Sequence, residues 1–192
     1  MPARHPVHLD PGKVYRTAHL AVWAANPTRL VGRLQEEGRL QKLSHGLFYA
    51  PVKGRFGVVP PSDEALLDAF LDGTPWLVTG PPRWNALGLG STQMFSTPLI
   101  YNTHRSGKTR VGGRTFQFRR VRFPVDPPPE WYVVDLLKNA ASVGLSHGDL
   151  EPRLRTALKE ERFSPTRLVE MASQFGRRSE QDLVRRVTAG LL

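Results

Sequence analysis

The sequence predicts an α+β protein of three modules, and two observations carry this prediction. Two proline-rich segments interrupt the chain, APVKGRFGVVPPSD over residues 50–63 and FPVDPPPE over residues 123–130. Proline cannot continue a helix or donate to a sheet ladder, so both segments are predicted to be linkers or edge segments. Between them, apolar residues either alternate or recur at helical spacing. The predicted modules span residues 1–55, 62–124 (small, mixed α/β) and 130–192 (helical).

Two short helices are predicted in the first module. Asn26-Pro27 marks the start of the second helix, because asparagine suits the N-cap and proline the first helical position. Gly38 is the residue expected just beyond its end. Upstream, Thr17 is predicted to cap a short helix that reaches Trp23. Three apolar residues at helical spacing form the inward face of the second helix: Leu30, Val31 and Leu34.

A basic hairpin is predicted after Gly38, with a turn at Ser44-His45-Gly46 and a return strand at Leu47–Tyr49. Two helices with a short connection, followed by such a hairpin, are the order of a winged helix-turn-helix, whose second helix enters the major groove of DNA. The residues expected to contact DNA lie on the exposed face of that helix or on the hairpin: Thr28, Arg29, Arg33, Gln35, Arg39, Gln41, Lys42 and His45. The alternative interpretation is a solvated helix face followed by an ordinary hairpin.

The second and third modules carry clear helix and hairpin signals. In the second, we predict a helix over 63–71 capped by Ser62, strands at 76–78 and 99–101, a helical turn at 83–87 and a hairpin around Gly112-Gly113. In the third, we predict helices at 131–141, around 150–158, from Ser164-Pro165 to about Gly176, and after a Ser179 cap.

Positive charge is concentrated in the first two thirds of the sequence. The chain has a net charge of +10, of which residues 1–61 hold +6, residues 62–124 hold +4 and residues 125–192 hold none. Such an excess is typical of a protein that faces a polyanion, usually nucleic acid. The alternative is that it only aids solubility. The alternation in 119–123 puts Arg120 and Arg122 on one strand face, which either extends the DNA contact or is simply solvated.

Composition and motifs argue against several other classes. The absence of cysteine excludes disulfides and thiolate metal sites, and the N-terminus lacks the apolar core of a signal peptide. No run is long enough to span a membrane, and a cytoplasmic protein is expected. Residues 104–109, HRSGKT, end like a phosphate-binding loop, but Asn102 stands where its first glycine is required. We therefore expect no catalytic residues, no metal and no cofactor.

The segment PTRLVGRLQEEGRLQKLSHGLFYAP, residues 27–51, resembles the N-terminal winged helix of AbiEi-type antitoxins and related transcriptional-regulator-like proteins. The shared features are a leucine-bearing helix from Leu30 to Leu34, Glu37-Gly38, a basic strand and a return strand ending in Pro51. His45 departs from the arginine usual there. The likeness continues through TGPPRWNALGL at 79–89, Thr92-Gln93, Tyr101-Asn102, Arg105 and Val111-Gly112-Gly113, and so covers about residues 13–124.

This resemblance implies a function in a two-gene toxin–antitoxin system. It implies a repressor that binds double-stranded operator DNA, often at inverted repeats, and that counteracts a nucleotidyltransferase-like toxin. Two other interpretations stay open: a winged-helix transcriptional regulator with no toxin partner, and a protein-interaction module whose charge only solubilises it.

Overall fold

The computed structural model describes residues 6–191 and confirms the α+β class, with helices and small sheets in the same chain. The chain forms two compact units. Unit 1 runs to Trp76 and takes in Ser106–Phe118, whereas unit 2 comprises Leu77–Arg105 and the chain from Arg119 onward. These units do not follow the three predicted modules, because residues 62–124 contribute to both. The division into modules 1–55, 62–124 and 130–192 stays a prediction.

Unit 1 begins with a small antiparallel sheet and two helices. Its elements are β1 (Val14–Arg16), a 3-10 helix (Thr17–Val22), α1 (Pro27–Glu36), β2 (Gln41–Ser44) and β3 (Leu47–Tyr49). The sheet order is β1-β3-β2. Tyr49 of the central strand is paired with Val14 of β1 on one side and with Gln41 of β2 on the other. The predicted helix and hairpin are confirmed. β1 was not predicted, and Thr17 begins the 3-10 helix rather than capping it, since Arg16 is the residue before it.

Apolar side chains from β1, the 3-10 helix, α1, β3 and the residues flanking the hairpin form a core in unit 1. Leu30, Val31 and Leu34 face inward from α1, as their spacing predicts. The buried members of the cluster are Tyr15, Leu20, Leu30, Val31, Leu34, Leu40, Phe48 and Ala50. Because α1 buries three residues of one face here, its rotation about its own axis is fixed, and its opposite face must point outward.

A second hairpin follows directly where the sequence predicted a linker or edge segment. β4 (Val52–Gly54) pairs antiparallel with β5 (Gly57–Val59), and Gly54 lies opposite Gly57. The prolines that suggested a linker flank this hairpin and lie outside its ladder, so they remove none of its hydrogen bonds. The Tyr49 hydroxyl donates to the Val59 carbonyl at 2.6 Å and ties the hairpin to β3.

The rest of unit 1 is a helix and a tight hairpin, both as predicted. α2 (Asp63–Leu71) is capped by Ser62, whose hydroxyl accepts from the Ala65 amide at 3.1 Å. β8 (Gly107–Val111) turns at Gly112-Gly113 into β9 (Arg114–Arg120). Both glycines have positive φ, which a two-residue hairpin loop requires. A Cβ on Gly112 would lie 2.5 Å from Leu66 Cδ2, so only glycine fits there.

Unit 2 contains two short strands and the C-terminal helices. The strands are β6 (Trp76–Thr79), which starts in unit 1, and β7 (Leu99–Asn102). The helices are α3 (Pro81–Ala86), α4 (Pro129–Asn139), a 3-10 turn (Ala140–Val143), α5 (His147–Lys159), α6 (Pro165–Phe175) and α7 (Arg178–Thr188). Helices α4–α7 pack around a core that includes Trp84, Tyr101 and Trp131. No helix within residues 6–191 has the length and apolarity needed to cross a membrane.

Several predicted helix boundaries in unit 2 need correction: α3 ends at Ala86 rather than at 87, α4 starts at Pro129 rather than at 131, and α5 starts at His147 rather than near 150. Three more corrections have identifiable reasons. α3 starts at Pro81 rather than at residue 83, because proline is tolerated in a first helical turn. α4 ends at Asn139, and the chain tightens into the 3-10 turn where α-helix was predicted to residue 141. The residue before α7 is Arg177, not Ser179. The Glu180 carboxylate accepts from the Arg177 amide at 2.7 Å and so satisfies the helix start.

Candidate nucleic-acid interface

Helix α1 presents its first turn to solvent in a well-defined orientation. The Asn26 side chain accepts from the Arg29 amide at 3.0 Å, and Pro27 occupies the first helical position. Thr28 and Arg29 are exposed, on the side opposite the buried Leu30. The Arg29 guanidinium makes no hydrogen bond or ion pair within residues 6–191. It is therefore available to an external acceptor beside the positive end of the helix dipole.

Two further predicted arginines share one carboxylate. Glu37 lies 3.6 Å from Arg33 Nε and 3.6 Å from Arg39 Nη1. Arg39 also donates to the Val7 carbonyl at 2.7 Å. All three charged side chains are largely exposed, and ion pairs of this kind contribute little. Both arginines can therefore exchange Glu37 for a phosphate, although Arg39 also has a backbone partner to give up.

The β2–β3 hairpin buries its return strand and exposes residues of its first strand and its turn. Leu47, Phe48 and Tyr49 are buried, whereas Gln41, Lys42 and His45 are exposed. Gln35, the remaining predicted contact, is only partly exposed, because it lies at the edge of the buried face of α1. The structure thus brings the other seven predicted residues to the surface of unit 1, where an external partner can reach them.

Four of the seven acidic residues in unit 1 lie on α2 or at its C-cap, and three of these four have partners. Asp63 forms an ion pair with Arg114, and Asp68 accepts from the Trp76 indole at 2.8 Å. Asp72 lies 2.8 Å from His19 Nε2 and 3.2 Å from Arg16. The hydrogen bond from His19 lowers the pKa of the Asp72 carboxyl.

Charge counted by unit differs from charge counted along the sequence. Unit 1 has 12 basic and 7 acidic residues and unit 2 has 15 and 10, so each holds a net charge of +5. The basic character is sharper on a smaller scale. Residues 38–61, which form both hairpins, contain four basic residues and no acidic one. Both hairpins are therefore positive with no acidic residue of their own, and so is the 106–118 segment of unit 1.

The β4–β5 hairpin adds candidate residues that the sequence analysis missed. Arg55 and Phe56 form its two-residue loop, and the Phe56 side chain is 96% exposed. Lys53 is also exposed. The sequence does contain a hairpin pattern here. Two short segments with valine, VKG and GVV, flank Arg55-Phe56, and each has its glycine next to the turn.

A buried polar network lies in unit 2, around Asp135 of α4. Its carboxylate accepts from the Thr79 hydroxyl at 2.6 Å, the Trp84 indole at 2.9 Å, the Tyr101 hydroxyl at 2.8 Å and the Asn139 amide at 3.2 Å. Burial raises the pKa of Asp135, and the donated hydrogen bonds oppose that shift. Burial, together with the neighbouring Asp135, also raises the pKa of Tyr101.

This network joins four separate elements of unit 2. Thr79, Trp84 and Tyr101 meet on one carboxylate that is itself 2% exposed. Four donors occupy the Asp135 oxygens, so we assign the cluster to holding β6, α3, β7 and α4 together. Asp135 was not singled out from the sequence.

Two other sequence features can be placed in the structure, and for Arg120 and Arg122 both interpretations, a further DNA contact or a solvated strand face, stay open. Asn102, at the loop-like HRSGKT segment, accepts from the His104 and Arg105 amides at 2.9 and 2.7 Å and closes a turn. Arg120 and Arg122 are exposed, as the alternation predicted. Within residues 6–191, no three histidine, aspartate or glutamate side chains gather as metal ligands would.

No protein-family model matches the chain, and no curated protein sequence is similar to it.

Proposed function

We propose that the chain is a transcriptional repressor that binds double-stranded DNA through unit 1, as a winged helix-turn-helix. The observation that carries the proposal is the free Arg29 guanidinium on the outward first turn of α1, followed by hairpins without a single acidic residue. An α-helix fits the major groove, and arginine pairs with guanine through two parallel hydrogen bonds. β1, the two helices and the β2–β3 hairpin also occur in the order that such a domain needs.

The proposal gives the exposed residues different tasks. Arg29 and Arg33 face base edges, with Arg33 released from Glu37 on binding, and Thr28 contacts a phosphate or a thymine methyl. Lys42 on the hairpin contacts phosphate, where it adds affinity without sequence preference. Removing a bidentate base contact costs about 1–3 kcal/mol and relaxes specificity at one position. Removing a phosphate contact weakens binding to all DNA sequences alike. It also reduces the salt slope, which is the slope of log K against log salt concentration, by about 0.9 in magnitude.

The test uses the full chain and the DNA directly upstream of its own coding sequence, with a scrambled duplex of the same composition. We expect log K to fall linearly with log salt for both. Arg29→Ala is expected to reduce the preference for the upstream DNA, and Lys42→Ala to weaken both duplexes equally. Arg178→Ala is the charge-matched control, since that side chain is 96% exposed on α7 of unit 2.

The roles assigned to Arg29 and Lys42 would be wrong if Lys42→Ala changed the preference for the upstream DNA and Arg29→Ala left it unchanged. Salt-independent binding, or no binding to either duplex, would refute the proposed function. A protein-interaction module whose charge only solubilises it would bind neither duplex. The full chain is required because residues 1–61 alone would lack α2 and the β8–β9 hairpin of the same unit.

We further propose that the repressor is the antitoxin of an AbiE-like two-gene system, acting in the cytoplasm. This part rests on the sequence resemblance in residues 27–51 and 79–113. It requires a neighbouring gene for a nucleotidyltransferase-like toxin, and growth arrest by that toxin must be relieved when the full chain is co-expressed. Repression without such a neighbour would favour an ordinary transcriptional regulator. Arg29→Ala separates the two activities if it loses repression of the operon and keeps rescue.

A further inference from the structure

The β4–β5 hairpin carries a large apolar side chain at the point furthest from its base. Phe56 is 96% exposed, and Val58 and Val59 on the same hairpin are 51% and 47% exposed. Val58 and Val59 are consecutive residues of β5 and point to opposite faces of the hairpin, so each face has an exposed valine below the Phe56 tip. The Phe56 side chain is almost wholly uncovered by residues 6–191, so the free protein keeps this apolar surface in water.

The hairpin is built to hold Phe56 in place. Its loop has only two residues, and Gly54 and Gly57 pair directly below it. At the base, the Tyr49 hydroxyl holds the Val59 carbonyl at 2.6 Å, and Tyr49 is itself buried in β3. The Phe56 ring also has the Arg55 guanidinium 5.6 Å from its centroid. An aromatic ring on a short, anchored hairpin loses little conformational freedom when it inserts into a partner.

The charges around Phe56 indicate what that partner is. Arg55 is adjacent to it, Lys53 lies two residues further back, and no acidic residue occurs anywhere in 38–61. A purely apolar partner surface would gain nothing from two flanking cations. Duplex DNA satisfies both features, because phosphates line the minor groove and apolar wedges such as phenylalanine insert there between base pairs.

We infer that the β4–β5 hairpin is a second DNA-binding arm, and that Phe56 inserts between stacked base pairs in the minor groove while Lys53 and Arg55 contact phosphates. The inference rests on the proposed function and adds to it a kinked DNA geometry. Pyrimidine–purine steps unstack most easily, so the arm favours a TA or CA step in the site. The bend is directed towards the major groove, as with other minor-groove wedges.

The experiment uses full-length protein and a duplex of about three helical turns from its own upstream region. The duplex carries 2-aminopurine at a TA step, and donor and acceptor dyes at its two ends. Wild-type protein is expected to raise the 2-aminopurine fluorescence, which reports unstacking, and to shorten the end-to-end distance. Phe56→Ala is expected to lose both signals and to bind about 5- to 160-fold more weakly, from 1–3 kcal/mol per aromatic–base contact. Its salt slope should be unchanged, because no charge is removed.

Three further variants make the result specific. Phe56→Leu is expected to restore part of the bend, since leucine is also an effective wedge. Arg55→Ala is expected to keep the fluorescence signal and lose about 0.9 from the salt slope. Val125→Ala removes a fully exposed apolar side chain from unit 2 and is expected to change nothing. Because Phe56 is almost fully exposed, the melting temperature of Phe56→Ala should match that of wild type.

A Phe56→Ala protein that binds and bends the duplex like wild type overturns the arm and leaves α1 as the DNA site. The arm is equally overturned if Phe56→Ala loses only attachment to anionic lipid vesicles or to a protein partner. Wild-type protein that binds no duplex refutes the proposed function, and the arm with it. These failures are distinguishable because the first two occur with DNA binding intact.

Discussion

Replacing Gly32 by alanine should stabilise the protein and, under the proposed function, weaken binding to DNA. Gly32 lies within α1, four residues after Thr28 and three after Arg29, on the face opposite Leu30, Val31 and Leu34. Its backbone φ is not positive, and a Cβ built on it meets no heavy atom within 4 Å. Nothing in the described part of the free protein therefore requires glycine at this position.

The expected gain in stability follows from helix propensity alone. Glycine inside a helix costs about 0.5–1 kcal/mol relative to alanine, because it loses more backbone freedom on folding. For a chain of this size, that corresponds to a rise in melting temperature of roughly 1–4 °C. The expected loss in binding follows from the added methyl group on a face that would sit against the DNA. Overfilling a packed contact costs about 1–3 kcal/mol, or roughly 5- to 160-fold in affinity.

The assay is a thermal melt and a DNA titration of the same protein preparations. Gly148→Ala in α5 is the matched control, since that glycine is also helical and its added Cβ would make only an ordinary 3.5 Å contact with Ser146 Oγ. It should be neutral or stabilising and should leave DNA affinity unchanged. A Gly32→Ala protein that is more stable and binds DNA like wild type would show that this face of α1 does not approach DNA closely.

Two further expectations concern stability. Asp135→Asn should destabilise the protein by about 2–4 kcal/mol in urea unfolding, because a buried amide NH2 would face hydrogen-bond donors, whereas Asp126→Asn at an exposed site should not. The second expectation is acid sensitivity through Asp149, whose pKa is lowered by hydrogen bonds from the Ser146 side chain and amide. A carboxyl whose pKa is lower in the folded state gives its full stabilisation above the unfolded value of about 3.9 and loses it as pH falls from there through the folded-state pKa. The melting-temperature difference between wild type and Asp149→Asn should therefore shrink as pH falls below about 4. A difference that persists at about pH 2 would contradict that linkage.

Features fixed by neighbouring residues were predictable from the sequence. The start of α1 follows from Asn26-Pro27 and its end from Gly38, which has a φ of +67° in the structure. The bounds of α2 and the turn at Gly112-Gly113 are equally local. In each case a cap or a positive φ selects the residue type directly, so no knowledge of the tertiary fold is needed.

Features that depend on distant partners were missed. β1 has only three residues, too few for a period, and it exists because Val14 pairs with Tyr49 far along the chain. The second hairpin was obscured by prolines that flank its ladder without entering it. The Asp135 network joins residues as far apart as Thr79 and Asn139. Spacing along the sequence does not reveal such a convergence, because it arises only when separate elements pack together.

For the candidate interface, the sequence predicted which residues are exposed better than it predicted their ion pairs. Residue type and helical spacing identified Thr28, Arg29 and Lys42 as exposed, and the structure agrees. Spacing alone did not indicate that Gln35 turns partly inward. It also did not indicate that two of the arginines would share one acidic neighbour, because ion pairing depends on side-chain directions at the end of α1.

That shared acidic neighbour, Glu37, would compete with DNA phosphates for Arg33 and Arg39 at the proposed interface. Every polyanion that approaches Arg33 or Arg39 must displace it, and the displaced carboxylate then repels the phosphates nearby. The penalty falls equally on operator and bulk DNA, but Arg29, which Glu37 does not engage, keeps its full attraction for a base. A genome offers about a million or more competing sites. A repressor restrained in this way would spend less of its time on those sites and find its operator from a larger free pool.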